Sequence, residues 1–365
     1  MTLRLRSTAT LLACLALAPA SARAQATAPD YPRGRISGYI FGDWYSDLAG
    51  DPHHGYTAAG ADSAQPNIDG NKVIGQGLNG FQIRRIYFQL DNDLSARVST
   101  RFRLEADGKS LTSDGKLGVA VKAGYLQVKS LYPRGDLFFG LITTPMWENS
   151  EDYWQYRPVE KTIADFRGLY SAADMGAELK GYLDPNHVVG YSAMVGNGVG
   201  QKPETNRQKR SSLALPLHWR DLRVEPYVDY ENVFGGLDRA SYKAFVGYDL
   251  PHGALGWEGV TQVQHAPAGP YHEPRGHSFF ARCQPRPEWA AFARLDLWDP
   301  DRRLANRVTQ QLWIAGVDWQ PMKDVHVMPN VEAMQYQRKG NVAVPPHHDL
   351  QAKITFFYKF SRPQS

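Results

Sequence analysis

The stretch Ser95–Gly108, SARVSTRFRLEADG, decides the fold. Arg97, Ser99, Arg101, Arg103 and Glu105 alternate in it with Val98, Thr100, Phe102, Leu104 and Ala106. On a β-strand successive side chains point to opposite faces. One face therefore carries a column of guanidinium groups, and the other is almost wholly apolar. If this strand lies in a bilayer, only one orientation is affordable. An arginine held against lipid at mid-depth costs about 2–4 kcal/mol, and Arg101 and Arg103 are expected near the strand centre. The apolar face must then meet lipid, and the arginines must line a water-filled interior.

The same period of two recurs to the end of the chain. In Asp349–Phe360, Leu350, Ala352, Ile354, Phe356, Tyr358 and Phe360 share one face, and Asp349, Gln351, Lys353, Thr355 and Lys359 share the other with Phe357. Arg239–Leu250 and Trp289–Trp298 alternate in the same way. In Gly80–Leu90 the pattern leaves open whether Arg84 or Arg85 points inward.

Seven connections are short and rich in turn residues: Asn92–Leu94, Leu131–Gly135, Asp184–Asn186, Arg220–Asp221, Pro251–Gly253, Pro285–Pro287 and Pro321–Asp324. Eight mostly longer ones lie between them: Asp47–Asn79, Asp107–Lys116, Pro145–Ala172, Gly196–Lys209, Asn232–Leu237, His265–Pro274, Asp299–Arg307 and Tyr336–His348. This strict alternation predicts an all-β, transmembrane antiparallel barrel of about sixteen strands, with short periplasmic turns and long external loops. A soluble sandwich has no reason to sort its loops by length. Trp44, Tyr125, Trp219, Tyr230, Trp257, Trp289, Trp298, Trp313, Trp319 and Tyr358 fall mostly near predicted strand ends, as interfacial girdles do.

The first residues read as an export signal. Arg4 and Arg6 precede a short apolar run, and Ala22-Arg23-Ala24 offers a cleavage site before Gln25. The expected organisation is a signal peptide over 1–24, a short periplasmic segment over 25–34, a barrel over 35–360 and an overhang over 361–365. Lipidation at Cys14 is disfavoured, because the apolar run before it is too short. Removing the signal lowers the formal net charge from +4 to about +1. No nucleic-acid partner is expected, and any attraction for anions must come from local arrangement. The mature chain keeps one cysteine, Cys283, which excludes an internal disulfide scaffold.

Cations expected along the bore are Arg85, Arg97, Arg101, Arg103, Lys122, Lys180, Lys243, Arg294 and Lys353, with Arg223 and Arg282 as further inward positions. Arginine suits carboxylates and oxyanions because its planar fork donates two parallel hydrogen bonds. A series of similar weak sites lets an anion pass and leave. Inward acids are also expected: Glu105, Glu178, Glu225, Asp229, Glu258, Asp296 and Glu332. The connection Pro145–Ala172 carries Trp147, Tyr153, Trp154, Tyr156, Phe166 and Tyr170. So apolar a loop is expected to fold into the lumen and narrow it, presenting Glu148, Arg157, Lys161 and Arg167 to solute.

Several pieces, in order, resemble the phosphate-selective porin family of the O and P type. They are GYIFGDWY at Gly38, GFQIRRIYFQLDNDLSARVSTRFRLEAD at Gly80, LFFGLITTPMWEN at Leu137 and RPVEKTIADF at Arg157. ADMGAELKGYL at Ala173, VVGYSAMVGNGVG at Val188 and FARLDLWDPD at Phe292 follow. The resemblance spans about Arg35 to Phe360. It implies a bacterial outer-membrane porin, usually a homotrimer, that passes small anions such as phosphate along an arginine-lined pore with an inward loop. The chain departs from that family in VKAGYLQV, where Lys122 and Gly124 replace a charged pair, in the acids of its loop, and in the SRPQS that follows Phe360.

Other chemistry finds little support. GNGVG at Gly196 resembles a phosphate loop, but no Gly-Lys-Ser/Thr follows. His53-His54 and His347-His348 lie in the first and last loops, which closure makes neighbours, and four imidazoles there suit a transition metal; loop histidines are more often simply solvated. No cofactor is expected. The alternatives to an anion porin are a weakly selective general porin, an outer-membrane barrel enzyme, or a structural barrel with a plugged lumen. No local nucleophile motif supports the enzyme.

Overall fold

The computed structural model describes residues 30–50, 75–108, 112–233, 237–266, 272–342 and 347–363. The proposed signal peptide and His53-His54 lie outside these. Contacts divide the chain into Met1–Tyr31 and Pro32–Ser365, and the second unit holds the sheet.

The first half contributes β1 (Arg33–Ala49), β2 (Asn79–Asp93), β3 (Val98–Asp107), β4 (Ala120–Tyr132), β5 (Gly135–Thr143), β6 (Ala173–Tyr182), β7 (Gly190–Gly196), β8 (Arg210–Ala214) and β9 (Leu217–Trp219). The second half contributes β10 (Leu222–Glu231), β11 (Arg239–Leu250), β12 (Gly253–Gln264), β13 (Arg275–Arg286), β14 (Trp289–Asp299), β15 (Arg307–Met322), β16 (Val325–Lys339) and β17 (Asp349–Pro363). β8 and β9 lie end to end on β10, with Ala214 opposite Tyr227 and Leu217 opposite Val224. They are two halves of one strand, interrupted at Leu215-Pro216, where proline has no N–H for the ladder. The barrel therefore has sixteen strands. It closes where β1 pairs with β17, from Arg35 opposite Pro363 to Ala49 opposite Leu350. Closure removes every free sheet edge. β1 already starts at Arg33. Ser361–Pro363 continue β17, so they belong to the sheet and do not form an overhang.

Short and long connections alternate between the two ends as the sequence predicts. The faces also alternate as read. On β17, Ile354, Phe356 and Tyr358 are exposed on the outer surface, while Gln351, Lys353 and Thr355 are buried on the inner one. Trp289 and Trp319 stack on the outside, with ring centroids 6.2 Å apart, near the short-turn end. Two expected girdle residues turn inward instead. Trp298 is buried in the lumen against the inner loop, and Tyr125 lies under the guanidinium of Arg101.

The choice between Arg84 and Arg85 has a structural answer: both point inward. Arg85 pairs with Phe41 and Ile83 with Gly42, so Arg84 is an extra residue in a β-bulge. The bulge breaks the period of two, which is why simple alternation could not assign the pair. Gly42 makes the bulge possible, since a Cβ there would lie 2.2 Å from the Gln82 carbonyl oxygen. A second bulge at Arg103/Leu104 places both Lys122 and Ala123 on the inner side of β4.

Candidate functional site

The segment between β5 and β6 folds into the lumen and carries two short helices, α1 (Glu148–Trp154) and α2 (Ile163–Phe166). Tyr153, Trp154, Tyr156, Val159 and Phe166 pack on inward residues of the far wall, among them Phe245, Phe280, Phe292, Leu312 and Met334. Met146, Trp147, Ile163, Ala164, Leu169 and Tyr170 pack on Ala214, Tyr227, Val260 and Trp298. Burying an indole such as that of Trp154, which is fully buried, contributes about 4–6 kcal/mol as an upper bound. The loop is thus fastened to the wall made by β8 to β16.

Polar contacts complete the fastening. Lys243 makes a 2.9 Å ion pair with Glu225 and donates to the Met146 carbonyl and, at 3.2 Å, to Ser150 Oγ. Asn149 donates to the other carboxylate oxygen of Glu225. Arg294 pairs with Asp296 and donates to the Lys161 carbonyl. Lys353 pairs with Glu332 at 2.7 Å. Arg210 donates to both carboxylate oxygens of Asp229 at 2.8 Å and stacks on Tyr170 at 3.6 Å. Lys243, Arg294 and Lys353 therefore do point inward, but all three are buried and matched one to one by carboxylates. They fasten the wall and the loop. Arg210 performs the same task and escaped the sequence reading. Its signal was there, because Arg210, Ser212 and Ala214 share the inner face of β8.

A different group lies on β2, β3 and β4. Arg85 pairs with Glu105 at 2.9 Å and stacks near Phe41 and Tyr87, at 5.9 and 5.3 Å. Lys122 shares the same Glu105 at 3.0 Å. Arg101 pairs with Asp91 at 2.6 Å and lies over Tyr125. Arg103 lies over Tyr87 at 5.0 Å, and its Nε donates at 2.6 Å to Gln89, a neutral partner. Among the described residues Arg103 has no carboxylate partner. Arg97 departs from the expected column: it sits exposed in the β2–β3 turn and donates to the Ser130 carbonyl at 3.0 Å. Below Arg101, a cavity of about 370 Å³ opens toward the short-turn end, lined by Arg33, Arg35, Asp93, Gln127 and Lys129.

The loop presents a mixed face to this basic strip. Arg84 reaches from β2 to the loop carbonyls of Val159 and Pro158, at 2.6 and 3.2 Å. Arg157 pairs with Glu151 at 3.0 Å and Asp165 at 3.5 Å. Burial pushes Glu151 up, with Arg157 opposing. Burial alone would also raise Asp165, but Arg157, Lys161 and the wall residues Arg85 and Lys122 outweigh it and hold that carboxyl low. The two faces are thus within electrostatic reach of each other. Desolvation in the crowded lumen, reinforced by Glu148 and Glu151, pushes Asp152 up to about 6. Glu148 itself pairs with Lys180, leaving neither fully free. Arg167 lies half-buried between Phe166 and Trp298, donates to Gln310, and is pushed down to about 10 by desolvation. It reaches the wall at β14 and β15.

The glycine-rich GNGVG segment proves structural. Gly198 and Gly200 adopt positive φ, 82° and 72°, and their N–H groups donate to the Asp174 carboxylate at 2.7 and 3.0 Å. Any anion there would compete with a fixed carboxylate. The Nδ1 of His348 accepts the Tyr336 N–H at 3.1 Å, which occupies one of the ring nitrogens a metal would use.

No protein-family model and no curated protein matches the chain. Solved structures do. An anion-selective porin from Comamonas acidovorans superposes with a TM-score of 0.63 at 11% identity, over 90% of this chain and 100% of that one. The outer membrane channel DcaP of Acinetobacter baumannii gives 0.62 at 11% identity, over 90% and 97%. OmpF of Salmonella typhi gives 0.56 at 11% identity, over 90% and 97%. At these identities the likeness establishes the fold: a closed, sixteen-stranded barrel of the outer-membrane porin type.

Proposed function

We propose that the chain is an outer-membrane porin through which small anions diffuse passively along Arg85, Arg101, Arg103 and Lys122, past the inward loop. Export by a cleaved signal over 1–24, residence in the bacterial outer membrane and assembly as a homotrimer belong to the same reading. Phosphate and related oxyanions are the favoured solutes, because guanidinium forks match them. The fold likeness to an anion-selective porin and the arginine-bearing strip support it.

One observation carries the preference for anions. Arg103 is held in place by a neutral amide and an aromatic ring, so its charge is not cancelled by a carboxylate. At ~5 Å in water a single guanidinium attracts a monovalent anion by about 0.8 kcal/mol, roughly fourfold in local occupancy. The test is the reversal potential of purified protein in a planar bilayer under a dilute salt gradient. Arg103→Ala is expected to shift that potential toward cations, most strongly at low salt, where screening is weak. An identical reversal potential in the variant refutes Arg103 as the selectivity element. The competing reading, a weakly selective general porin, draws on the acids Glu151, Asp152 and Asp165 of the loop.

A further inference from the structure

A second basic group lies far from the strip on β2 to β4. Beneath the loop, at the short-turn end of the opposite wall, is a cavity of about 570 Å³. Arg223 from β10 and Arg282 from β13 both enter it. Their guanidinium carbons lie 5.3 and 5.6 Å from the ring of Tyr153, the buried α1 residue that is itself wedged edge-on against Phe245. The loop therefore positions both cations.

The lining carries two guanidiniums, Arg223 and Arg282, and two carboxylates, Asp249 and Asp318, and they are not paired one to one. Asp249 is matched by Arg223, which donates to it from Nε and Nη2 at 3.2 Å. Asp318 accepts from Gln320 and lies 2.9 Å from the Nδ1 of His326. Arg282 has no carboxylate partner among the described residues, and its Nε is buried with no hydrogen-bond partner. A buried, unpaired guanidinium N–H is costly, and a carboxylate or similar anion would satisfy it. The rest of the lining is not what an inorganic ion needs. Tyr156, Met328 and Phe357 give the cavity an apolar side. Its volume lies within the range of pockets that enclose small organic molecules.

We infer that Arg282, assisted by Arg223, forms a binding subsite for an organic anion, with the carboxylate on the guanidinium fork and the hydrocarbon part against Met328 and Phe357. The inference rests on the bore being water-filled and conducting. It adds a solute class that the strip on β2 to β4 does not select: carboxylates with an apolar or aromatic body. Such a subsite would hold the solute on the short-turn side of the loop.

The test uses the full-length protein in planar bilayers, with chloride as current carrier and two probes, benzoate and inorganic phosphate. Benzoate is expected to block the wild-type current saturably. Arg282→Ala should raise its half-blocking concentration roughly tenfold, the loss expected for one charge-assisted contact, while leaving the phosphate response unchanged. Met328→Ser should weaken benzoate block alone, and it keeps the question answerable if Arg282→Ala does not assemble. Arg103→Ala should do the reverse and alter only the phosphate response. Benzoate block that is absent, or unchanged in both the Arg282 and Met328 variants, overturns the inference. So does loss of both responses together in Arg282→Ala. The absence of any chloride current would instead refute the porin reading itself.

Discussion

Replacing Lys243 with alanine tests how the loop is held. Its ammonium is fully buried, 2.9 Å from Glu225, and it also donates to Met146 and Ser150 at the start of α1. Removing one member of a buried pair leaves the other as an uncompensated charge, at a cost of about 3–5 kcal/mol. Two hydrogen bonds to the loop disappear as well, each contributing roughly 1 kcal/mol or more. The aromatic cluster around Trp154 still favours the docked state, so the loop should loosen at its α1 end rather than leave the lumen. Single-channel recordings of Lys243→Ala should show frequent excursions between conductance levels, and the Glu148–Trp154 region should become open to proteolysis. The double variant Lys243→Met/Glu225→Leu removes both charges and fills similar volume, so it should recover most of the lost stability. The reasoning fails if Lys243→Ala is as quiet and as protease-resistant as the wild type. It fails equally if the double variant is worse than the single one.

Lowering pH should increase the preference for anions. Asp152 is raised to about 6, so it is charged at pH 7.5 and largely neutral at pH 5, and its protonation removes a negative charge from the lumen. The reversal potential of the wild type should therefore move toward anions across that window. Asp152→Asn should already lie there at pH 7.5 and respond less to acid. Phe102→Arg places a charge on the outer, exposed face of β3. Bilayer folding titrations should show it destabilised by about 2–4 kcal/mol, whereas Gln89→Arg, on the inner face, should fold with a smaller loss.

The barrel was legible because lipid and water impose opposite demands on alternate residues, and a single strand records both. Loop lengths then ordered the strands, since short turns and long loops sort to opposite ends. What one strand cannot record is its register with the next. Lys243 and Lys353 read as cations facing solute because their partners Glu225 and Glu332, although recognised as inward, gained their one-to-one pairing only from register; Arg294 and Asp296 sit two apart on β14, and the loop that covers them, through the Lys161 carbonyl, was not legible there. Asp91 and Gln89 decide whether Arg101 and Arg103 keep an uncancelled charge, and both belong to β2, not to the arginine strand. Bulges are the other blind spot. One extra residue at Arg84 sends two consecutive arginines inward, and alternation can assign only one of them. Trp298 and Tyr125 show that an aromatic near a strand end is not on its own a girdle residue, because the inner loop and Arg101 need such rings as well.

Site-directed cysteines on β3 test the central claim most directly: the guanidinium face of that strand borders water and its apolar face borders acyl chains. With Cys283 replaced by alanine, Arg103→Cys and Phe102→Cys differ by one residue and by face. Arg103→Cys should react with a charged, membrane-impermeant thiol reagent and lose current on reaction. Phe102→Cys should resist that reagent, and a fluorophore placed there should be quenched by brominated lipid. Reaction of Phe102→Cys from water with Arg103→Cys protected would contradict the account.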